Sequence, residues 1–462
     1  MKAISSKSPQ DSLAGALPRI VLALARKVRQ EGGRALVVGG FARDRLLGIE
    51  SKDVDVEVYG VPFEKLKAIL ESLGKVDLVG ESFAVFKLAD IDISIPRRDN
   101  KVGKGHKGFA VSVDAEMSFA AAASRRDFTI NALAFDPLTG EVLDEHGGLS
   151  DLKKKVLRAV DPATFGEDPL RVLRAAQLAA RFDFEIEAKT KKLCQKIDLK
   201  ELSSARIGEE WKKLLLKSEK PSRGLELAVE LKIIEKLHPE LAALTATPQG
   251  EKWHPEGTVW EHTKLAVDFA AGIVRRDKLS EAEAQVLLFA ALCHDMGKPL
   301  TTTVENGRIR SKGHDRLGAD IAGKFLRNLN IPRQAIAKIL PLIREHQFFR
   351  LPEFTDRAVR RLSVRLTPAA IQELVWLMEA DLKARGEKSR ELHEGEQILA
   401  KAKKLKVKVQ PPRPLVSGAD LIKMGYKEGP KLGKTLRGLY EAQLDGEFKS
   451  KAKGLIYLKR LR

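Results

Sequence analysis

The stretch Asp53-Val-Asp-Val-Glu-Val58 constrains the fold more than any other part of this chain. Acidic and apolar residues alternate strictly, and a period of two argues a half-buried β-strand. Val54 and Val56 then face a core, while Asp53 and Asp55 share the opposite face. Upstream, an amphipathic helical pattern over about Leu17 to Glu31 runs into the apolar stretch Ala35-Leu-Val-Val38, which ends at Gly39-Gly40. A helical segment from Phe41 to Leu47 follows, and further β segments are expected at Ala84 to Leu88 and Ile91 to Ile95. The first region is therefore a helix-and-sheet unit with a glycine turn beside an acidic strand.

At 462 residues the chain exceeds one ordinary domain, and 43% hydrophobic against 31% charged residues supports several packed cores. The net charge of +19 favours a polyanionic partner, nucleic acid first, with a solvated basic surface as the alternative. Cys194 and Cys293 stand far apart without a paired spacing, so neither a disulfide framework nor a cysteine zinc site is indicated, which fits a reducing cytoplasm. Met1 to Ser12 lacks the order of a secretory leader, and no run reaches the roughly 18 apolar residues of a membrane span.

From Pro162 the pattern turns helical, with Leu170, Leu173, Leu178 and Ala179 at helical spacing, and continues to about Leu244. The turn-rich Thr245 to Gly257 marks a boundary. A second helical block spans Val259 to about Lys404, and a basic tail follows the proline-containing Lys406 to Pro414. Trp211, Trp253, Trp260 and Trp376 read as core or turn anchors.

Two carboxylates on one strand face suit Mg²⁺, which takes oxygen ligands and completes its octahedron with water and substrate phosphate. An acidic outer face of an edge strand is the alternative for Asp53 and Asp55. The glycine pair shifts the balance, because Gly39-Gly40 at a strand-to-helix turn lets backbone amides approach a triphosphate.

Gly39-Gly-Phe-Ala-Arg-Asp44 followed by Asp53-Val-Asp55 resembles the signature of polymerase-β-type nucleotidyltransferases, in the branch of class II tRNA nucleotidyltransferases and bacterial poly(A) polymerases. The resemblance implies that Arg43 lies in the nucleotide site and that Asp92, in Ile91-Asp-Ile-Ser-Ile-Pro-Arg97, is the third catalytic carboxylate rather than Asp90. Arg125-Arg-Asp-Phe-Thr-Ile-Asn-Ala-Leu-Ala134 matches that family's most specific motif, which implies nucleotide contacts from Arg126, Asp127 and Asn131. The segment Lys101 to Ser124 departs from the family pattern, being rich in Gly and Lys and then in Ala.

Glu167-Asp-Pro-Leu-Arg-Val-Leu-Arg174 resembles the family's protein template for the incoming base, carried by Asp168 and Arg171, with Arg174 assisting at phosphate. Chemistry supports the pair independently. Cytosine and adenine each present an amine donor beside a ring-nitrogen acceptor, so a carboxylate and a guanidinium suit them and reject uracil and guanine. At i and i+3 the two side chains are expected on one helix face, although Asp-Pro is also a good helix start.

The second helical block carries His262, His294-Asp295, His314 and His346. Imidazole with carboxylate suits a divalent transition metal that polarises phosphate and activates water. Leu292-Cys-His-Asp-Met-Gly-Lys298 resembles the HD phosphohydrolase superfamily, which implies His262 upstream and Asp381 downstream as further ligands, His314 and His346 for a second metal, and Lys298 at phosphate.

Together the resemblances imply an α+β chain: a nucleotidyltransferase head with a small mixed sheet (1–155), an all-α neck and body (156–245), an all-α HD domain (246–400) and a basic α-helical tail (401–462). They imply untemplated addition of C, C and A to tRNA from CTP and ATP with Mg²⁺, and hydrolysis of phosphomonoesters or 2′,3′-cyclic phosphates at the HD site. The competing readings are a poly(A) polymerase, a CC-only or A-only enzyme, and an HD phosphohydrolase whose head only binds RNA.

Overall fold

The computed structural model describes residues 17–51, 53–79, 85–101, 109–251, 254–348, 353–386 and 390–460. Met1 to Ser12 and Trp253 lie outside them. The chain forms two compact units, Met1–Leu202 and Ser203–Arg462.

In the first unit the helix Arg19–Gln30 buries Val21, Leu24, Ala25 and Val28, a single stripe at helical spacing. It leads into β1 (Arg34–Val38), the glycine-turn helix Gly39–Leu46 and β2 (Val54–Tyr59). The helix Phe63–Glu71, β3 (Val76–Val79), β4 (Val85–Leu88) and β5 (Ile91–Ser94) follow. Next come the hairpin of β6 (Arg97–Lys101) and β7 (Phe109–Val113), then β8 (Ala134–Phe135) and β9 (Val142–Leu143). Seven strands form one sheet in the order β3-β4-β5-β2-β1-β8-β9. Within it β2 and β5 are parallel and every other neighbouring pair is antiparallel, so the sheet is mixed. Part of the divergent segment Lys101 to Ser124 is thus ordered as β7 and the short helix Phe119–Ser124.

The first unit extends beyond residue 155. β10 (Val156–Leu157) pairs in parallel with β11 (Glu185–Ile186), and Phe128 bridges to Ala159. These contacts tie the helix Leu170–Phe182 to the head, and the compact units divide after Leu202.

Among its described residues the second unit is helical apart from one hairpin, β12 (Thr302–Glu305) with β13 (Arg308–Ser311), inside a block expected to be all helix. Its turn is Asn306-Gly307, with φ of 52° and 71°. Positive φ at both central residues is the backbone that Asn-Gly hairpins use. The helix Glu281–Cys293 is buried continuously from Ala284 to Cys293 and forms the centre of this unit. Around it stand the helices Ser204–Lys217, Val259–Arg276, His314–Asn328, Arg333–Glu345 and Ile371–Ala384, and the helix Asp356–Leu366 packs on Arg333–Glu345. The last three helices, Gly418–Lys423, Pro430–Asp445 and Lys451–Arg460, enclose a small core of Val416, Leu421, Leu439, Ala442, Phe448 and Leu458.

Candidate active sites

The first site lies on the face of β2 that carries Asp53, Asp55 and Glu57. Parallel pairing sets Asp55 directly beside Asp92 of β5, and both are exposed. Asp53 is exposed just before β2 begins. Desolvation, then repulsion from Asp92 and Asp53, lifts the Asp55 carboxyl to about 6 against the pull of Arg126. Such crowding of carboxylates calls for a cation, and hard oxygen donors on an open face fit a divalent ion that keeps waters and phosphate oxygens. Lys87 Nζ, from β4, stands 3.9 Å from Asp92 Oδ1.

Glu57 is the residue that sequence reasoning missed. Its side chain is 2% exposed and receives Arg125 Nη2 at 3.1 Å, Arg126 Nη2 at 3.2 Å and the Tyr59 hydroxyl at 2.7 Å. Burial alone would raise this carboxyl, but the two guanidiniums hold it below its usual range. The alternation that placed Asp53 and Asp55 on one face placed Glu57 there too, which was the available signal. Glu57 thereby anchors Arg126 beside the glycine turn. Gly39 has φ of +70°, so the backbone favours glycine, and a Cβ there would come within 2.8 Å of Arg126 Nη1 and shift that guanidinium end. A Cβ at Gly40 would meet only Arg43 Nη2, at 3.5 Å.

Behind this face runs a buried polar network. Asp127 Oδ2 receives Arg174 Nε at 2.6 Å, and its Oδ1 receives Asn131 Nδ2 at 2.9 Å and the Phe128 amide at 2.8 Å. Burial would raise the Asp127 carboxyl, yet Arg174 and Asn131 hold it down. Arg43 is buried under the Phe182 ring, 4.4 Å from its centroid, and donates to Asp44 and to Asn131 Oδ1. Arg181 completes the network with a 3.1 Å bond to Asp44.

Asp168 and Arg171 do not share a helix face. The helix begins at Leu170 behind Pro169, and Asp168 is extended (φ −114°, ψ 98°), with Oδ1 accepting the Leu170 amide at 3.1 Å. A proline disfavours helical backbone in the residue before it, which moves Asp168 off the helix. Arg171, in the first turn, donates to the carbonyls of Arg125 (2.6 Å) and Thr164 (3.2 Å). Its guanidinium therefore meets the Arg125-Arg126 segment.

The second unit brings all six expected ligands together at element ends. His262 comes from the first turn of Val259–Arg276, and His294-Asp295 follow the helix Glu281–Cys293. His314 opens one helix, His346 follows another, and Asp381 lies within Ile371–Ala384. All six are buried. His294, His314 and His346 each direct Nδ1 at a backbone carbonyl, of Ala291 (2.8 Å), Ser311 (2.6 Å) and Ile343 (2.6 Å). A carbonyl only accepts, so Nδ1 carries the proton and Nε2 offers its lone pair inward. Burial pushes His346 down to about 3, which keeps that ring neutral.

Those lone pairs face each other, His262 Nε2 to His294 Nε2 at 3.2 Å and His314 Nε2 to His346 Nε2 at 3.4 Å. Two such nitrogens, each roughly 2.1 Å from a metal, would subtend an angle of about 100°, as tetrahedral or octahedral coordination requires. Asp295 is shared: Oδ2 lies 3.2 Å from His294 Nε2 and Oδ1 lies 3.3 Å from His314 Nε2. The donor groups accordingly sort into His262-His294-Asp295 and Asp295-His314-His346. Asp381 Oδ1 is 2.9 Å from His262 Nε2, and Arg385 holds its Oδ2 at 2.6 Å. Lys298 Nζ reaches Asp295 Oδ2 and Gln249 Oε1, each at 2.6 Å. A further pair was not foreseen: Glu256 Oε1 accepts from His262 Nδ1 at 2.7 Å and His254 Nδ1 at 2.8 Å, fixing the His262 ring in place of a carbonyl partner. The clue was His254-Pro-Glu256 just upstream of His262.

Three family profiles match this chain: the Poly A polymerase head domain over residues 35–158, the probable RNA and SrmB-binding site of polymerase A over 183–245, and the HD domain over 259–407. Asp168, Arg171 and Arg174 fall between the first two. A multifunctional CCA protein of Xanthomonas campestris pv. campestris is 36% identical over 362 residues, covering 76% of this chain and 85% of that protein. The multifunctional CCA protein of Pasteurella multocida is 34% identical over 365 residues, covering 76% and 83%. Among solved structures, the Bacillus stearothermophilus CCA-adding enzyme in complex with CTP superposes with a TM-score of 0.66 at 20% identity, covering 99% of this chain and 98% of that one. The Thermotoga maritima CCA-adding enzyme complexed with tRNA gives 0.60 at 19% identity, covering 99% of each. These two likenesses establish the fold.

Proposed function

This chain belongs to the family of multifunctional CCA proteins, and from that premise we propose how its two sites divide the family's work. It is a tRNA nucleotidyltransferase that adds C, C and A to the tRNA 3′ end from CTP and ATP and releases pyrophosphate, and it carries an HD domain for phosphate-ester hydrolysis. A poly(A) polymerase, a partial CC- or A-adding enzyme and an HD hydrolase with a silent head are not favoured. Both kinds of domain use divalent metal.

The observation that carries the transferase half is the β2–β5 register that sets Asp55 beside Asp92. We assign Asp53, Asp55 and Asp92 as the magnesium ligands. When bound, magnesium supplies activation of the RNA 3′ hydroxyl and neutralises the departing pyrophosphate. The chain's own groups do the rest. The amides at Gly39-Gly40 and the Arg126 guanidinium, held by Glu57, take the triphosphate. Asp127, Asn131 and Arg174 orient sugar and phosphate, and Arg43, fully engaged inside the fold, acts by holding Asn131. Asp168 accepts from the exocyclic amine of C or A. Arg171 spends two of its five donors on carbonyls and offers the others to the base.

For the hydrolytic half, the carrying observation is Asp295 shared between two histidine pairs. We assign a divalent transition metal to this cage, because imidazole nitrogens with carboxylate oxygens suit that class. Lys298 keeps Asp295 ionised and Glu256 keeps His262 in its metal-binding tautomer. Functionally the chain divides into head (1–155), neck and body (156–245), HD domain (246–400) and basic tail (401–462). Among the described residues no helix is long and apolar enough to cross a membrane. We place the protein in the cytoplasm, with its nucleotide substrates.

The test is extension of a tRNA that ends at the discriminator base, with Mg²⁺ and each NTP alone or combined. CTP with ATP should add three nucleotides. Absence of extension would refute the transferase reading, and long A tails would replace it with poly(A) synthesis.

A further inference from the structure

One transverse row of the seven-stranded sheet is charged on four neighbouring strands. Asp55 of β2 stands opposite Asp92 of β5, Asp92 opposite Lys87 of β4, and Lys87 opposite Asp77 of β3. Side chains directly opposite each other on neighbouring strands share a face of the sheet. Lys87 therefore belongs to the face that carries Asp55 and Asp92. Its Nζ is 3.9 Å from Asp92 Oδ1, and the two side chains are 49% and 53% exposed. At the far end of the row, Lys75 Nζ is likewise 3.9 Å from Asp77 Oδ1.

A pair that long and that exposed is screened by water and adds little to the stability of the sheet. Holding Asp92 in place is thus a weak account of Lys87. Its ammonium keeps three donors on a flexible four-carbon stem, which suits a phosphate oxygen that arrives with substrate.

The two flanks of Asp55 differ. On the β1 side stand the Gly39-Gly40 turn and Arg126, anchored on Glu57, the groups assigned above to the triphosphate. On the other side come Asp92 and then Lys87, whose strand lies about 10 Å from β2 at two strand spacings. In phosphoryl transfer the attacking and leaving oxygens lie roughly in line across the reacting phosphorus. With the departing pyrophosphate on the β1 flank, the RNA 3′ hydroxyl approaches from the flank of β5 and β4.

We propose that Lys87 grips the phosphodiester backbone of the RNA 3′ end and guides its hydroxyl to Asp55 and Asp92. This rests on the transferase reading above. Before substrate arrives the ammonium offsets the charge of Asp92. When a divalent cation takes over that carboxylate, the ammonium turns to RNA phosphate.

The experiment measures addition of one A from ATP to a tRNA ending in CC, across a range of salt, by the full-length protein and its variants Lys87→Gln, Lys87→Arg and Lys75→Gln. Lys87→Gln should raise the KM for tRNA roughly five- to tenfold and lower the salt slope of tRNA binding by about 1, the loss of one phosphate contact. The KM for ATP should not move. Lys87→Arg should recover most of the loss, and Lys75→Gln should keep the wild-type KM for tRNA. An unchanged KM for tRNA in Lys87→Gln would overturn the proposal. So would an equal effect of Lys75→Gln, which would reduce Lys87 to general charge. A lower kcat with a higher magnesium requirement, at unchanged KM for tRNA, would make Lys87 a support of Asp92 instead. If wild type adds no A, the transferase reading fails by itself, and tRNA anisotropy then decides Lys87: weaker binding by Lys87→Gln keeps its role, and equal affinity overturns it.

Discussion

As candidate metal sites, the carboxylate face and the histidine cage are built in opposite ways. Asp53, Asp55 and Asp92 are exposed on an open sheet, whereas the six groups around Asp295 are buried. In the proposed assignment, magnesium arrives with a nucleotide whose phosphates supply ligands, so the protein needs only a few oxygens and arginines to receive the rest. A cage of imidazoles with locked tautomers is ready before substrate comes. One site is completed by its substrate and the other is built in advance.

The largest effects should come from breaking each site alone. Asp55→Ala should lower CCA addition by roughly a thousandfold while sparing hydrolysis of 2′,3′-cyclic AMP. Asp295→Ala should remove the shared ligand, eliminate bound transition metal by elemental analysis and abolish hydrolysis, with CCA addition intact. A chelator selective for transition metals should reproduce that split in wild type. Glu57→Gln should reduce CCA addition about 10- to 100-fold, because Arg126 loses its anchor while every reacting group remains; single-turnover rates at saturating CTP would measure this.

The smallest effects concern stability, and the two units should respond to pH with opposite sign. The folded Asp55 carboxyl titrates near 6, above its ordinary value of 3.8, so its contribution is present below pH 3.8 and is lost as pH rises through 6. Without metal, Asp55→Asn should therefore raise the thermal midpoint of the first unit at pH 7 even as transfer disappears. His238, buried and accepting from Trp211 Nε1 at 2.9 Å, is pushed down to about 4 by desolvation. The folded unit then binds fewer protons than the unfolded chain, and it should lose roughly 3 kcal/mol as pH falls from 6.5 to 4. His238→Gln should flatten that slope in calorimetry.

Much of each site could be read from local pattern. Alternation set Asp53 and Asp55 on one face, and short motifs pointed to Arg126, Asp127, Asn131 and the His294-Asp295 pair as candidates. What local pattern could not supply was pairing across sequence distance. Nothing near Asp55 announces that Asp92 stands beside it, or that Glu57 closes on arginines 68 and 69 residues later. The i, i+3 spacing of Asp168 and Arg171 predicts one helix face, but Pro169 keeps Asp168 off the helix. The hairpin at Asn306-Gly307 was hidden because the surrounding helical period outweighed a two-residue turn signal.

The central claim is that one chain holds two independent metal centres, and crossed single-site variants test it most directly. Asp53→Ala and the double variant His294→Ala/Asp295→Ala would each be assayed for CCA addition and for hydrolysis of 2′,3′-cyclic AMP. Asp53→Ala should lose only addition, and the double variant only hydrolysis. Loss of both activities in either protein, with folding intact by circular dichroism, would contradict the account.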